Sequence, residues 1–120
     1  LKNEVVIMDI LELVTNALES LNIPCIYGWY DENLSETHIT FLEFDNQEEE
    51  YSDDEATSIE HYIQVDIWTK DTNESQTIKK QVKELLKQNG FIYQNGQDLF
   101  EIENQMWHIP QRFLIVEYLE

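Results

Sequence analysis

A single cysteine, two prolines and three glycines are all that this 120-residue chain holds of the residues that cross-link or punctuate a backbone. The lone thiol, Cys25, excludes an intramolecular disulfide and any cysteine-based zinc site, and it fits a reducing compartment. Gly28, Gly90 and Gly96 are too scattered for a phosphate-cradling loop, and each has a bulge, cap or turn reading. Basic residues are scarce as well: seven Lys and Arg against 25 Asp and Glu give a formal net charge of -18. That argues against nucleic acid as a default partner, because phosphate binding needs clustered Lys and Arg. It argues equally against an anionic membrane surface. No apolar run exceeds Val5 to Met8 in length, which is far short of the roughly 20 residues that cross a bilayer. The opening Leu1-Lys2-Asn3-Glu4 lacks the basic-then-apolar layout of a secretory signal, and it starts on Leu rather than Met, as a trimmed terminus would.

What the chain does hold is large side chains. Three Trp, six Tyr and five Phe supply burial units that disordered acidic chains lack. A length of this order predicts one domain. Residues 5–21 predict a helix, with Ile7, Ile10, Leu11, Val14, Ala17, Leu18 and Leu21 on one stripe and Asn22 and Pro24 ending it. Residues 25–30 and 38–44 predict two strands. The second changes parity between Phe41 and Leu42, which implies a bulge or burial on both faces. Residues 59–68 alternate strictly, with Ile59, His61, Ile63, Val65 and Ile67 on one face and Glu60, Tyr62, Gln64, Asp66 and Trp68 on the other, as in a half-buried strand.

Between these strands lies the one marked shift in composition. From Glu43 to Glu55 there are eight carboxylates and no base. Like charges resist packing, so residues 45–58 predict an exposed, mobile acidic loop within the single domain 1–120.

A second helix is expected over 73–89, capped by Asp71 or Asn73, with Ile78, Val82, Leu85 and Leu86 buried and Gly90 ending it. Lys79, Lys80, Lys83 and Lys87 lie opposite that stripe, as a solvated face or a partner for another subunit's acidic loop. Asn95-Gly96 predicts a type I′ hairpin joining strands at 91–94 and 98–102. A last strand covers about 107–118, and Pro110 predicts an edge or bulge in its first part. The order α-β-β-β-α-β-β-β predicts an α+β fold: a mainly antiparallel sheet with two helices packed on one face. The other face, carrying Tyr62, Trp68 and the Leu42 or Phe44 side chain, would then be bare, and bare aromatics point to a protein partner.

No chemistry-bearing constellation emerges. Cys25 has no motif linking it to His38 or His61, and it reads as a structural thiol. His61, on the apolar face, reads as a hydrogen-bonded core histidine. His38, His61 and His108 are too dispersed for a metal pair, and the acidic run lacks the spacing of a calcium loop. The expectation is a non-enzymatic protein with no cofactor and no metal.

Three segments carry a family likeness. Thr37-His38-Ile39-Thr40-Phe41, the acidic turn Tyr51-Ser52-Asp53-Asp54-Glu55, and Tyr62-Ile63-Gln64-Val65-Asp66-Ile67-Trp68-Thr69-Lys70 resemble small tail proteins of bacteriophages and prophages of Gram-positive bacteria, the tail terminator or tail completion proteins related in fold to head–tail joining proteins. Phe91-Ile-Tyr and His108-Ile-Pro-Gln-Arg-Phe look similar too, so the likeness spans most of residues 5–118. The resemblance implies a ring-forming subunit, commonly a hexamer, that caps the tail tube and meets the head connector. It implies a place in the virion tail, reached from the host cytoplasm during assembly, and no catalytic residues. The residues expected at partner interfaces are Tyr62, Trp68, Glu48, Glu49, Glu50, Asp53, Asp54, Lys79 and Lys83. The competing reading is an acidic inhibitor or immunity-type protein that binds a basic partner by salt-sensitive contacts.

Overall fold

The computed structural model describes residues 9–28, 35–53 and 55–119, apart from the side chains of residues 50 and 51. Helix α1 (Ile10–Leu18) begins where Asp9, in extended backbone, accepts a hydrogen bond from the Glu12 amide at 3.1 Å. A side-chain acceptor there satisfies one of the donors that a helix start leaves unpaired. The expected start at residue 5 is therefore corrected to Ile10, since the cap residue is not helical; residues 5–8 lie outside the described segments. Ile10, Val14, Ala17 and Leu18 are buried. A short 3-10 turn, Glu19–Leu21, ends on Asn22, whose φ of 56° is the left-handed stop expected there.

Strand β1 (Cys25–Tyr27) is shorter than the expected 25–30; Gly28, at φ 121°, turns the backbone out of it, and Trp29 and Tyr30 lie outside the described residues. It pairs in parallel with β2 (His38–Ser52), Cys25 against Ile39. β2 then pairs antiparallel with β3 (Glu55–Thr69) from His38–Trp68 to Ser52–Glu55. The register slips between Glu43 and Asp45, past the parity change at Phe41 and Leu42, where the ladder is regular. The parity change itself reflects burial on both faces, as at Ile39, Thr40 and Phe41.

The acidic segment 45–58 is not a loop. It forms the outer half of a hairpin of two 15-residue strands, closed near Asp53, which sits at φ 53°. Like charge discourages packing of side chains against one another, but a strand ladder pairs backbone groups and leaves the side chains standing out into water. Asp45, Glu48 and Asp53 are indeed exposed, and Ser58 Oγ donates to the Glu49 carbonyl across the pair at 3.3 Å.

Helix α2 (Thr72–Gln88) is capped by Asp71, which accepts from the Glu74 amide at 2.8 Å, and it buries Ser75, Ile78, Val82 and Leu86. After Gly90, at φ 91°, come β4 (Ile92–Gly96), β5 (Leu99–Glu101) and β6 (Met106–Tyr118). The expected Asn95-Gly96 hairpin is a correction. β4 and β5 do not pair with each other; each pairs antiparallel with β6, β4 over Gln111–Leu114 and β5 over Met106–His108. The tight turn comes later, through residues 102–105, with Gln105 at φ 56°.

Pro110 explains the gap between β4 and β5. It lies on a central strand, not at an edge or bulge, because β6 is flanked by β3 and β4. Its carbonyl accepts from the Gln97 amide at 3.0 Å, so the side of the strand where its N–H is missing faces the junction of β4 and β5, where no ladder bond is required. Gly96 serves close approach rather than a turn. A Cβ there would stand 2.6 Å from the Tyr93 hydroxyl and 3.3 Å from the Pro110 carbonyl oxygen. Gly96→Ala should cost about 1–3 kcal/mol by overpacking, and Tyr93→Phe in the same chain should recover part of it by removing the nearest atom. Urea midpoints of the three variants measure this; an unaltered midpoint for Gly96→Ala would show that the contact yields freely.

The sheet order is β1-β2-β3-β6-β4, with β5 also on β6. The protein is α+β: apart from the β1–β2 pair every ladder is antiparallel, and both helices pack on one face. The core lies between them, Val14, Leu18, Ile78, Val82 and Leu86 against Ile39, Phe41, Ile63, Val65, Ile67 and Phe113. Burial of such side chains at about 25 cal/mol per Å² is what stabilises the fold. The molecule is long, 53 × 25 × 24 Å, as two 15-residue strands at about 3.3 Å per residue require.

Candidate interaction surfaces

The sheet face turned away from the helices divides into a sealed end and an open end. At the sealed end, His38, Trp68 and His108 occupy one row across β2, β3 and β6. Trp68 stacks on His108 with ring centroids 3.8 Å apart and planes 8° from parallel, and its other neighbour in the row, His38, is at 6.0 Å. The indole Nε1 donates to Thr40 Oγ1 at 3.0 Å. His108 Nε2 meets Asp66 Oδ1 at 2.7 Å, and Gln64 Nε2 donates to both Asp66 oxygens at 3.0 and 3.3 Å. Trp68 is 2% exposed and Asp66 0%. Trp68 is thus on the expected face but buried within the chain rather than exposed for a partner, because a polar and aromatic row fills a place where alternation implied solvent. A buried carboxylate is tolerable only with partners of this kind.

The open end carries what the sequence led us to expect. Phe44 is 40% exposed, Tyr118 73% and, on the neighbouring strand, Ile92 55%, while Tyr62, Leu114 and Val116 are half-buried beside them. The Arg112 guanidinium lies 4.6 Å over the Phe44 ring, and its Nε donates to Gln64 Oε1 at 3.0 Å. Tyr62 donates its hydroxyl to Glu60 Oε1 at 2.7 Å; that bond, with desolvation and the neighbouring carboxylates, raises its pKa above the ordinary 10.

On the helix-side face, the boundary between core and acidic hairpin is a trio. His61 Nδ1 is 2.7 Å from Glu43 Oε2, and its Nε2 is 2.9 Å from Glu117 Oε1. Both contacts are hydrogen bonds only if the trio carries one proton more than a neutral imidazole and two carboxylates. His61 is therefore a hydrogen-bonded core histidine, as its place on the apolar face implied. The two glutamates, distant in sequence, gave no local signal; only the strand register brings them to it.

Glu48, Glu49 and Asp53 all lie on the outer part of the hairpin. Glu50 is in the same strand, but its side chain, like the whole of Asp54, falls outside the described residues. Lys79 and Lys83 are elsewhere, half-buried on the flank of α2. Together with Lys80, Tyr93, Asp98 and Gln111 they line a cleft of about 540 Å³ between α2 and the β4–β6 edge. Lys79 Nζ pairs with Asp98 Oδ2 at 3.1 Å, and Lys83 Nζ stands 4.1 Å over the Tyr93 ring. The lysine row is therefore not a plain solvated face. Gln111, on the cleft floor, donates Nε2 to the Lys79 carbonyl at 3.3 Å, and its buried Oε1 has no hydrogen-bond partner.

Other chemistry is sparse. Burial pushes the Cys25 thiol up to about 11, away from the reactive thiolate. Among the described residues no group of His, Cys, Asp and Glu is arranged to hold a metal, and no helix is long and apolar enough to cross a membrane. No family model matches the chain, and no curated protein matches its sequence.

Proposed function

We propose that this protein is a non-enzymatic structural subunit of a bacteriophage or prophage tail, a tail terminator or tail completion protein that closes into a homo-oligomeric ring at the head-proximal end of the tail tube. The observation that carries the reading is the open end of the helix-free sheet face. Phe44, Tyr62, Leu114, Val116 and Tyr118 form a largely apolar strip along the strands that stays partly exposed even with the Arg112 guanidinium over the Phe44 ring, and such strips mark protein contacts. The likeness of the Thr37–Phe41 and Tyr62–Lys70 segments to tail proteins supplies the biological setting. A hairpin that reaches well past the helices adds a lever for a head-to-tail contact, and contacts of that type close into rings when the rotation permits. Tail-tube and head-connector proteins are the remaining partners on this reading.

Electron microscopy and light scattering of the purified protein test it. The expected result is rings at high concentration or on addition of tail tubes. A species that stays monomeric throughout, and binds no tube, overturns the reading. The acidic hairpin itself favours one second reading, an inhibitor or immunity-type protein that engages a basic protein face. That protein would remain monomeric alone and would capture a basic enzyme in a strongly salt-dependent complex.

A further inference from the structure

We propose that the lysine-lined cleft between α2 and the β4–β6 edge receives the acidic tip of the β2–β3 hairpin from a second copy of this chain. The inference rests on the self-assembly reading above and names its contact.

Three of the chain's seven basic residues, Lys79, Lys80 and Lys83, line this one cleft. In a chain of net charge -18 that is the main concentration of positive charge. The complementary feature is the hairpin, with eight carboxylates and no base from Glu43 to Glu55. The two cannot meet within one molecule. Gln111 on the cleft floor pairs with Val65, while the hairpin turns between Ser52 and Glu55. Ten residues of extended strand separate those levels, about 33 Å at 3.3 Å per residue. A second copy supplies the hairpin; passed on from copy to copy the contact is head-to-tail and can close a ring, whereas exchanged between two copies it gives a closed dimer.

The cleft's lysines call for carboxylates, and the outer part of the hairpin presents them on a paired two-stranded arm. Asp98, already paired with Lys79, confines the incoming charge to the Lys80 and Lys83 side. A nucleic acid strand would meet the repulsion of the remaining surface.

Charge reversal tests the contact. The full chain is compared by sedimentation velocity across a concentration series, at low and high salt, with Lys80→Glu/Lys83→Glu and with Asp53→Lys/Glu55→Lys at the hairpin tip; circular dichroism verifies folding. Lys80→Gln/Lys83→Gln serves should the reversed cleft not fold. Each charge-reversed variant alone should need at least a tenfold higher concentration to associate. Mixed one to one, the two should assemble again, because native hairpin meets native cleft and reversed hairpin meets reversed cleft. Assembly by either variant as readily as the unaltered chain overturns this contact and leaves the ring reading standing. Charge-sensitive open dimers that never close support the contact and overturn the ring. A monomer under every condition overturns both.

Discussion

Trp68→Ala should lower the stability of the protein by about 3–5 kcal/mol, a large part of the roughly 5–15 kcal/mol that holds a domain of this size. Trp68 is one of the largest fully buried side chains. Its loss empties the middle of the row between His38 and His108 and leaves Thr40 Oγ1 without the indole donor. It also strips the aromatic face from the imidazole that meets Asp66. Trp68→Phe separates these effects: it keeps an aromatic face and loses the 3.0 Å hydrogen bond, so a cost of about 1–2 kcal/mol is expected. Urea unfolding at low protein concentration measures both. Low concentration matters, because a residue that served only a partner surface would leave the unfolding midpoint of the free chain unchanged. A midpoint for Trp68→Ala within experimental scatter of the unaltered protein would put the indole outside the core and return it to the interface.

The Trp68 result also defines what the sequence could and could not convey. Alternation along residues 59–68 placed Ile63, Val65 and Ile67 against the helices, where they are fully buried. It could not tell that Asp66 and Trp68, on the opposite face, are buried too, because that depends on partners from β2 and β6 brought in by register. Caps were legible: Asp71 and Asn22 act through atoms a few residues away. Asn95-Gly96 misled, because a dipeptide that favours a hairpin turn also fits a strand where a Cβ would collide, and only the packing of Tyr93 and Pro110 distinguishes the two. The acidic run misled for a related reason. Charge density reports what side chains avoid, whereas the pairing of Asp45 through Ser52 with Glu55 through Tyr62 is a backbone property. Of the expected interface residues, Lys79 and Lys83 gave a helix face in sequence, but the cleft beneath them exists only because β4 and β6 pass alongside.

An exposed loop would make the carboxylates an unstructured fringe; a paired hairpin presents them at a fixed place relative to the core. What fixes that place is the region where hairpin and core join. The bulge between Glu43 and Asp45 and the His61 trio lie at that junction. Among the described residues, the buried core cluster draws nothing from β2 or β3 beyond that junction. The expected result is that the stiffness of the acidic arm depends on this polar cluster.

His61→Leu is the direct test of that dependence. The substitution removes both ring nitrogens, at 2.7 Å from Glu43 and 2.9 Å from Glu117, and leaves two partly enclosed carboxylates facing a hydrocarbon. Breaking a buried charged cluster by removing one member costs about 3–5 kcal/mol, whereas replacing the whole cluster with apolar residues of similar volume is often neutral. His61→Leu alone should therefore destabilise strongly, and His61→Leu with Glu43→Met and Glu117→Met should recover most of the loss. Denaturant midpoints give the energies. Amide hydrogen exchange gives the location: in the single variant, protection should fall first for residues 45–49 and 58–61, ahead of Ile63 and Val65 beside the helices. If the triple variant is as unstable as the single one, the loss comes from packing at the imidazole and not from the lost imidazole–carboxylate contacts. If exchange rises uniformly along β3, the trio contributes to global stability without setting the stiffness of the arm.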